Sequence, residues 1–274
     1  MMNQQQTIDL EVLLPVHNEA ETIEKTIREI FAELSRKVRM RFIICEDGSK
    51  DATKEVLTRL SAEIPMKLIL SDARKGYSRA VRDGMQAQEA PYLLCLDSDG
   101  QCDPKDFWGF WERRSDSDAV IGWRIHRADT LLRRVLSRTF HIFYQLLYRV
   151  PVHDPSCSYV LARKEVISML VGEVGAMQQG FWWEFVARLH RHGFSIDELP
   201  VNHRLRSGGT TQVYKFRKMP GIFCRHFLAL FKIWFQTRSL AHERELASNV
   251  VSLPRLADAG NRRGDLHSQE RKSA

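Results

Sequence analysis

Cysteine is scarce in this 274-residue chain, with five residues at 45, 95, 102, 157 and 224 and no Cys-x-x-Cys pair. An odd, scattered set excludes a disulfide framework and a cysteine zinc site, and points to reduced thiols in a cytosolic compartment. Long apolar runs are missing as well. No stretch approaches the roughly 18 uncharged apolar residues of a spanning helix. Met1 to Thr7 is polar and has no signal-peptide core. The chain is therefore expected neither to be secreted nor to cross a membrane by itself. Recognised nucleic-acid motifs are also lacking, although the net charge is +7. That charge is unevenly spread: residues 1–120 hold 17 Lys+Arg against 22 Asp+Glu, and residues 121–274 hold 24 against 12. An acidic first half opposes a duplex, so no nucleic-acid partner is expected. A basic second half interleaved with aromatics and leucines suits an anionic membrane surface or a phosphate-bearing substrate.

Apolar residues make up 43% of the chain, ample for one large α/β core. The first 120 residues alternate strand and helix signals. Leu10 to Leu14 reads as a strand stopped by Pro15, followed by a helix from about Glu19 to Leu34 with Ile23, Ile27, Ile30, Phe31 and Leu34 on one face. Arg41 to Cys45 is a second strand, and Asp51 caps a second helix. Met66 to Leu70 is a third strand, Gly76 to Gln88 a third helix, Tyr92 to Leu96 a fourth strand, and Asp118 to Ile121 a fifth. Pro104 starts a helix at its favoured first position. Repeated βαβ units predict a mainly parallel central sheet flanked by helices.

After Gly122 two basic, aromatic-rich helical stripes follow. One runs from Leu131 to Leu147 among Arg133, Arg134, Arg138 and Arg149. The other, from about Met219 to Phe235, carries Phe223, Phe227, Leu230, Phe231 and Trp234, with Arg225 and Lys232 off the stripe. Either stripe can pack on the domain or rest on a membrane surface. Residues 239–274 read as a polar, disordered tail.

The most informative feature is Asp97-Ser98-Asp99, at the end of the apolar run Tyr92-Leu93-Leu94-Cys95-Leu96. Ligands of open α/β sheets bind at the carboxyl ends of such strands. Residues alternate faces along an extended chain, so the two carboxylates point the same way and repel unless a cation or proton lies between them. A hard divalent ion that also binds phosphate oxygens is the natural occupant. Pro15-Val16-His17-Asn18-Glu19 and Glu46-Asp47-Gly48-Ser49-Lys50-Asp51 follow strands one and two, at the same sheet edge. There Asp47 can accept hydrogen bonds from a base or ribose, or serve as a turn residue before glycine.

These three segments, in this order, resemble inverting glycosyltransferases of family 2, and within it the polyprenyl-phosphate branch similar to dolichol-phosphate mannosyltransferase. The resemblance covers about residues 8–220. It implies a GT-A fold over 8–220, while the residues beyond read by their own pattern as an amphipathic interfacial helix over 221–238 and the tail over 239–274. It implies that Pro15, Asn18, Glu19 and Asp47 border the nucleotide, that Asp97 lies near ribose and metal, and that Asp99 and Gln101 ligate Mg²⁺ or Mn²⁺. Arg124 matches a branch arginine after strand five, and Arg133 with Ser137 matches a helical pair that grips the lipid phosphate. Asp154-Pro155-Ser156-Cys157-Ser158-Tyr159 resembles the acceptor segment, with Ser158 where glycine is usual, and Arg206 falls in a loop that neighbours the phosphates. In the segment Ala73 to Ala80, Tyr77 and Arg79 are bulkier than the family pattern.

The implied activity moves a sugar from a nucleoside-diphosphate sugar to a polyprenyl phosphate, on the cytoplasmic face of a membrane held peripherally or by an anchoring partner protein. The alternative keeps fold and donor but uses a sugar hydroxyl as acceptor, with Asp154 or Glu184 as base. Glu184 can equally be an exposed residue on an aromatic helix packed against the core. An Asp-x-Asp phosphotransferase fits less well, because that motif belongs on a first strand. A non-catalytic nucleotide-sugar-binding protein is the remaining reading.

Overall fold

The structure is a computed structural model and describes residues 7–125, 131–178, 180–204 and 225–238, with backbone alone over 131–137. Seven strands form one mixed sheet: β1 (Leu10–Val16), β2 (Met40–Glu46), β3 (Met66–Ile69), β4 (Tyr92–Cys95), β5 (Ala119–Arg124), β6 (Val160–Arg163) and β7 (Ile196–Val201). Their order is β3-β2-β1-β4-β6-β5-β7. The pairs around β1, with β2–β3 and β5–β7, are parallel, and β6 runs antiparallel to both β4 and β5. Helices α1 (Ile23–Leu34), α2 (Thr53–Leu60), α3 (Tyr77–Gln86), α4 (Phe107–Arg113), α5 (Leu131–Tyr148), α6 (Lys164–Leu170) and α7 (Phe181–His192) connect and cover it. A further helix, α8, spans 225–238.

Strand β1 is buried along its whole length because both sheet faces are covered. Leu13 points into one apolar cluster with Ile43, Leu93 and Phe185, while Val12 and Leu14 point into the other with Phe42, Ile27 and Phe107. Pro15 does not stop this strand, contrary to expectation. Leu13 O accepts from Leu96 N–H, which sets odd positions toward β4. The β4 ladder ends at Leu13, so the missing N–H at Pro15 costs no bond. Helix α1 begins later than its periodicity suggests, since residues before Thr22 turn back so that Glu19 O receives Thr22 and Ile23 N–H.

The two basic stripes lie partly in the core. Helix α8 buries Leu230 and Ile233 completely, and Tyr144 and Tyr148 of α5 are buried beneath the same layer. The Tyr148 hydroxyl donates to Leu230 O, which fastens α8 to α5. Phe227 and Trp234 pack against the cluster. Of the stripe expected to face a membrane, Phe227, Leu230 and Trp234 turn inward and only Phe231 of its described members stays exposed, beside Leu228 and Phe235 from outside the stripe. Phe223 and residues 239–274 lie outside the described residues.

At the carboxyl edge, Gly48 adopts φ 64°, and a Cβ there would sit 2.4 Å from Ala73 C and 2.5 Å from Arg74 N. The left-handed conformation alone costs an L-residue about 1–2 kcal/mol, and backbone atoms cannot give way as a side chain can. Gly48→Ala should therefore lower the unfolding free energy by about 2 kcal/mol or more in chemical denaturation. A variant as stable as the parent would refute this packing.

Candidate active site

Three β–α connections and the turn after β4 enclose a cavity of about 530 Å³ at the carboxyl edge of the parallel strands. Pro15 to Thr22, Asp47, Asp51, Arg74, Tyr77, Ala80 and Asp97 to Asp99 line it. A second, open hollow beside α1 is lined by Glu21, Glu24, Lys25, Arg28 and Glu29. Arg28 pairs with Glu24 there at 2.9 Å, as on a solvated helix face.

The first two connections are tied to each other. Asn18, at φ 54°, donates its N–H to Ser49 Oγ at 2.9 Å, and its Oδ1 accepts from Lys50 N–H at 2.9 Å. Asparagine tolerates this left-handed backbone better than most residues. Glu19 N–H donates to Thr53 Oγ1 at 3.0 Å, and Ala20 N–H to Asp51 Oδ2 at 3.2 Å. Asp51 also accepts from Thr53 N–H at 3.1 Å, so it serves as a turn cap while bridging two loops. Desolvation opposes its charge, but these hydrogen bonds prevail and hold its carboxyl below the ordinary value. Asp47 is buried, and receives Lys75 N–H at 2.5 Å and Gly76 N–H at 2.9 Å. It is thus more than a turn residue, for it anchors the β3–α3 connection at the cavity wall. His17 lines the same wall with its Nδ1 buried and unpartnered among protein atoms.

Asp97 and Asp99 both face this cavity. Tyr77 donates its hydroxyl to Asp97 Oδ1 at 2.9 Å, and Ser158 donates to Asp97 Oδ2 at 2.7 Å. Asp99 Oδ1 accepts from Gln101 N–H at 3.1 Å, and Gln101 Nε2 donates to Arg204 O at 3.0 Å. That donation leaves the carboxamide oxygen as the end able to ligate a hard cation. Among the described residues no three His, Cys, Asp or Glu side chains form a ready cation cage. Carboxylate and carboxamide oxygens are the donor types that suit Mg²⁺ or Mn²⁺, and Asp99 is tied to Gln101 through that residue's N–H.

Arg124, at the end of β5, meets Asp154 in a forked pair, with Nε to Oδ2 at 2.7 Å and Nη2 to Oδ1 at 3.0 Å. Its Nη2 also donates to Ser156 Oγ at 2.7 Å. Burial opposes the guanidinium charge, but Asp154 outweighs it and raises the Arg124 pKa above its ordinary value. Arg124, Asp154 and Ser156 therefore come together, but as one another's partners. Burial lowers the His141 pKa against the pull of the Asp154 and Glu198 carboxylates, so this residue of α5 lies within electrostatic reach of the cluster. The side chains of Arg133 and Ser137, and the whole of Arg206, lie outside the described residues.

Glu184 is fully buried rather than exposed. Its Oε2 accepts from Gly175 N–H at 3.1 Å and Met177 N–H at 2.8 Å, and its Oε1 from Arg188 Nε at 3.0 Å. It staples the loop before α7. Burial pushes the Cys45 and Cys157 thiols up to about 12, which leaves them inert. The contribution of Tyr77, Trp182 and Ser158 was not anticipated from sequence. The available signal was that Tyr77 and Ser158 depart from the family pattern.

The fold and the acidic cavity define a GT-A type domain. Residues 11–170 match Glycosyl transferase family 2, and the chain belongs to that family. It is 28% identical to glycosyltransferase AglD of Haloferax volcanii over 84% of this chain and 37% of the relative. It is 25% identical to dolichyl-phosphate beta-glucosyltransferase of Dictyostelium discoideum over 82% of this chain and 77% of the relative. It is 26% identical to dodecaprenyl-phosphate galacturonate synthase of Rhizobium johnstonii over 76% and 62%. The chain thus spans less than two thirds of AglD and of the Rhizobium protein. Glucosyl-3-phosphoglycerate synthase of Mycobacterium tuberculosis, solved with Mn²⁺ and uridine-diphosphate-glucose, shares the fold at TM-score 0.62 and 15% identity, over 82% of this chain and 79% of that one.

Removing one member of a buried ion pair strands the other charge, at a cost of about 3–5 kcal/mol. Arg124→Ala should therefore destabilise the protein by that order in urea denaturation, and Arg124→Ala with Asp154→Ala by less. Single-variant losses that simply add in the double variant would mean that the pair is not formed.

Proposed function

We propose that this domain transfers a sugar from a nucleoside-diphosphate sugar to a polyprenyl phosphate, inverting the anomeric centre. The observation that carries this reading is the fate of the two candidate bases. A hydroxyl acceptor must lose a proton to a nearby base as it attacks. Asp154 has both oxygens committed to Arg124, and Glu184 has both committed to the loop before α7 and to Arg188. Lone pairs remain on both, but protonating either would remove the charge that its buried guanidinium partner holds. A phosphate acceptor is already anionic and needs no base, so positioning and charge neutralisation suffice. The dolichyl-phosphate and dodecaprenyl-phosphate relatives support the same acceptor class.

In this reading the nucleotide occupies the cavity between Asn18, Asp47 and Asp97. Asp99 and Gln101, with Asp97 adjacent, would hold Mg²⁺ or Mn²⁺, which would offset charge growing on the leaving diphosphate. The neighbour solved with Mn²⁺ and uridine-diphosphate-glucose supports that pairing of metal and donor. Arg124 Nε and Nη2 are spent on Asp154 and Ser156, so the Nη1 edge is where an acceptor phosphate would meet this guanidinium. Arg133, Ser137 and Arg206 remain candidates for the same anion.

A membrane-stored acceptor calls for a membrane-facing surface. Among the described residues no helix is long and apolar enough to cross a membrane. Ile142 and Leu146 of α5 and Leu228, Phe231 and Phe235 of α8 are exposed, and the Phe143 and Phe231 rings, 5.5 Å apart, join the two helices. Exposed Arg138, Arg149, Arg225 and Lys232 accompany them. This face suits a peripheral, anionic-lipid contact.

Two tests follow from this reading. Turnover of a nucleotide-sugar panel with a polyprenyl phosphate and Mg²⁺ should be seen, and Asp99→Asn should reduce it by a factor of about 100 or more. Full activity in chelator, or turnover only with sugar-hydroxyl acceptors, would overturn the assignment. Liposome co-sedimentation should need anionic lipid and weaken with salt, at about 1 kcal/mol per basic residue. Phe231→Glu with Phe235→Glu should abolish it without lowering the melting temperature, whereas Leu230→Glu should unfold the protein. Undiminished sedimentation of the double variant would exclude this face.

A further inference from the structure

Two side chains that lie outside the Asp-x-Asp segment converge on Asp97. Tyr77, the first residue of α3, donates to Oδ1 and itself accepts from Trp182 Nε1 at 2.8 Å. Ser158, on the connection entering β6, donates to Oδ2. Each carboxylate oxygen therefore has its own hydroxyl donor, and turning the group would break both bonds. A carboxylate oxygen accepts more than one hydrogen bond, so each retains capacity for a ligand. The Tyr77 ring is part of the cavity wall, while its hydroxyl is sunk toward Trp182.

We infer that Tyr77 and Ser158 are positioning residues that set the Asp97 carboxylate for the nucleoside-diphosphate part of the donor, with Trp182 fixing Tyr77. The inference rests on the donor-site reading above. Its consequence is that two hydroxyl donors satisfy part of the Asp97 charge and orient it toward ligand hydroxyls. Ser158 also belongs to the segment that carries Asp154 and Ser156. The same bond thus fastens the donor carboxylate to the segment gripped by Arg124.

The test is calorimetric binding of UDP, GDP and ADP in turn, each with Mn²⁺, to the full chain and its variants. A hydrogen bond to a charged group corresponds to a loss of roughly tenfold or more when its donor is removed. Tyr77→Phe and Ser158→Ala should each weaken nucleotide binding about tenfold, and Trp182→Phe should weaken it less. On an Asp97→Ala background, Tyr77→Phe and Ser158→Ala should cost nothing further, because their common target is gone. A role confined to folding would cost the same on either background. Ser158→Ala keeps the test decisive should Tyr77→Phe fold poorly, since it strands no buried N–H as Tyr77→Phe strands that of Trp182. Losses that persist undiminished on the Asp97→Ala background, or single variants that bind like the parent, would overturn the inference alone. A parent protein that binds none of the three nucleotides would overturn the donor-site reading, and the inference with it.

Discussion

The buried carboxylate of Asp47, gripping the N–H groups of Lys75 and Gly76, is the interaction on which the site depends. It draws the β3–α3 connection against the β2–α2 connection so closely that position 48 has room for no side chain. That approach fixes where α3 begins, and Tyr77 is its first residue. From Tyr77 the linkage runs to Asp97, through Ser158 to the loop of Asp154 and Ser156, and on to Arg124. Segments far apart in sequence, from residue 47 to residue 158, are thereby held in one hydrogen-bonded frame. Buried polar networks of this kind are costly when incomplete and rigid when satisfied.

Much of that frame was legible in the sequence, and the limits are physical. The strands β1, β2 and β4 were readable because burial on both faces makes them continuous apolar runs. Their carboxyl ends then located Asn18, Asp47, Asp97 and Asp99, which do share one cavity. The antiparallel β6 was not readable, since Val160-Leu161-Ala162-Arg163 is short and its direction is set by partners on both sides. Pairings between side chains were equally hidden. Arg124 and Asp154 were separate candidates on sequence, and only the fold makes them a single ion pair. Glu184 looked exposed because a helix with aromatics on one face ordinarily sends its glutamate outward, whereas here α7 is covered all round.

The helices α5 and α8 show why periodicity alone could not assign their faces. An apolar stripe wider than one core contact can divide, half inward and half outward. Leu230 and Ile233 meet the core, and Arg188 Nη2 reaches Gln236 Oε1 at 3.0 Å to hold α8 against α7. The outward half keeps Leu228, Phe231 and Phe235 in solvent, which is costly for an isolated soluble domain and explicable if something apolar covers them. The basic residues beside them are what the proposed anionic-membrane contact calls for.

The acceptor chemistry and the membrane-facing surface then support each other through a common constraint. A site that attacks with a hydroxyl needs a carboxylate free to take a proton, and this fold invests Asp154 and Glu184 in holding loops and arginines. What that investment provides is rigidity, with the Arg124 guanidinium fixed in one orientation by Asp154 and Ser156. An anionic nucleophile that is also a lipid must arrive from a membrane surface. In the proposed reading α5 joins surface and site, since its Phe143 meets Phe231 of α8 and its His141 lies within electrostatic reach of Asp154.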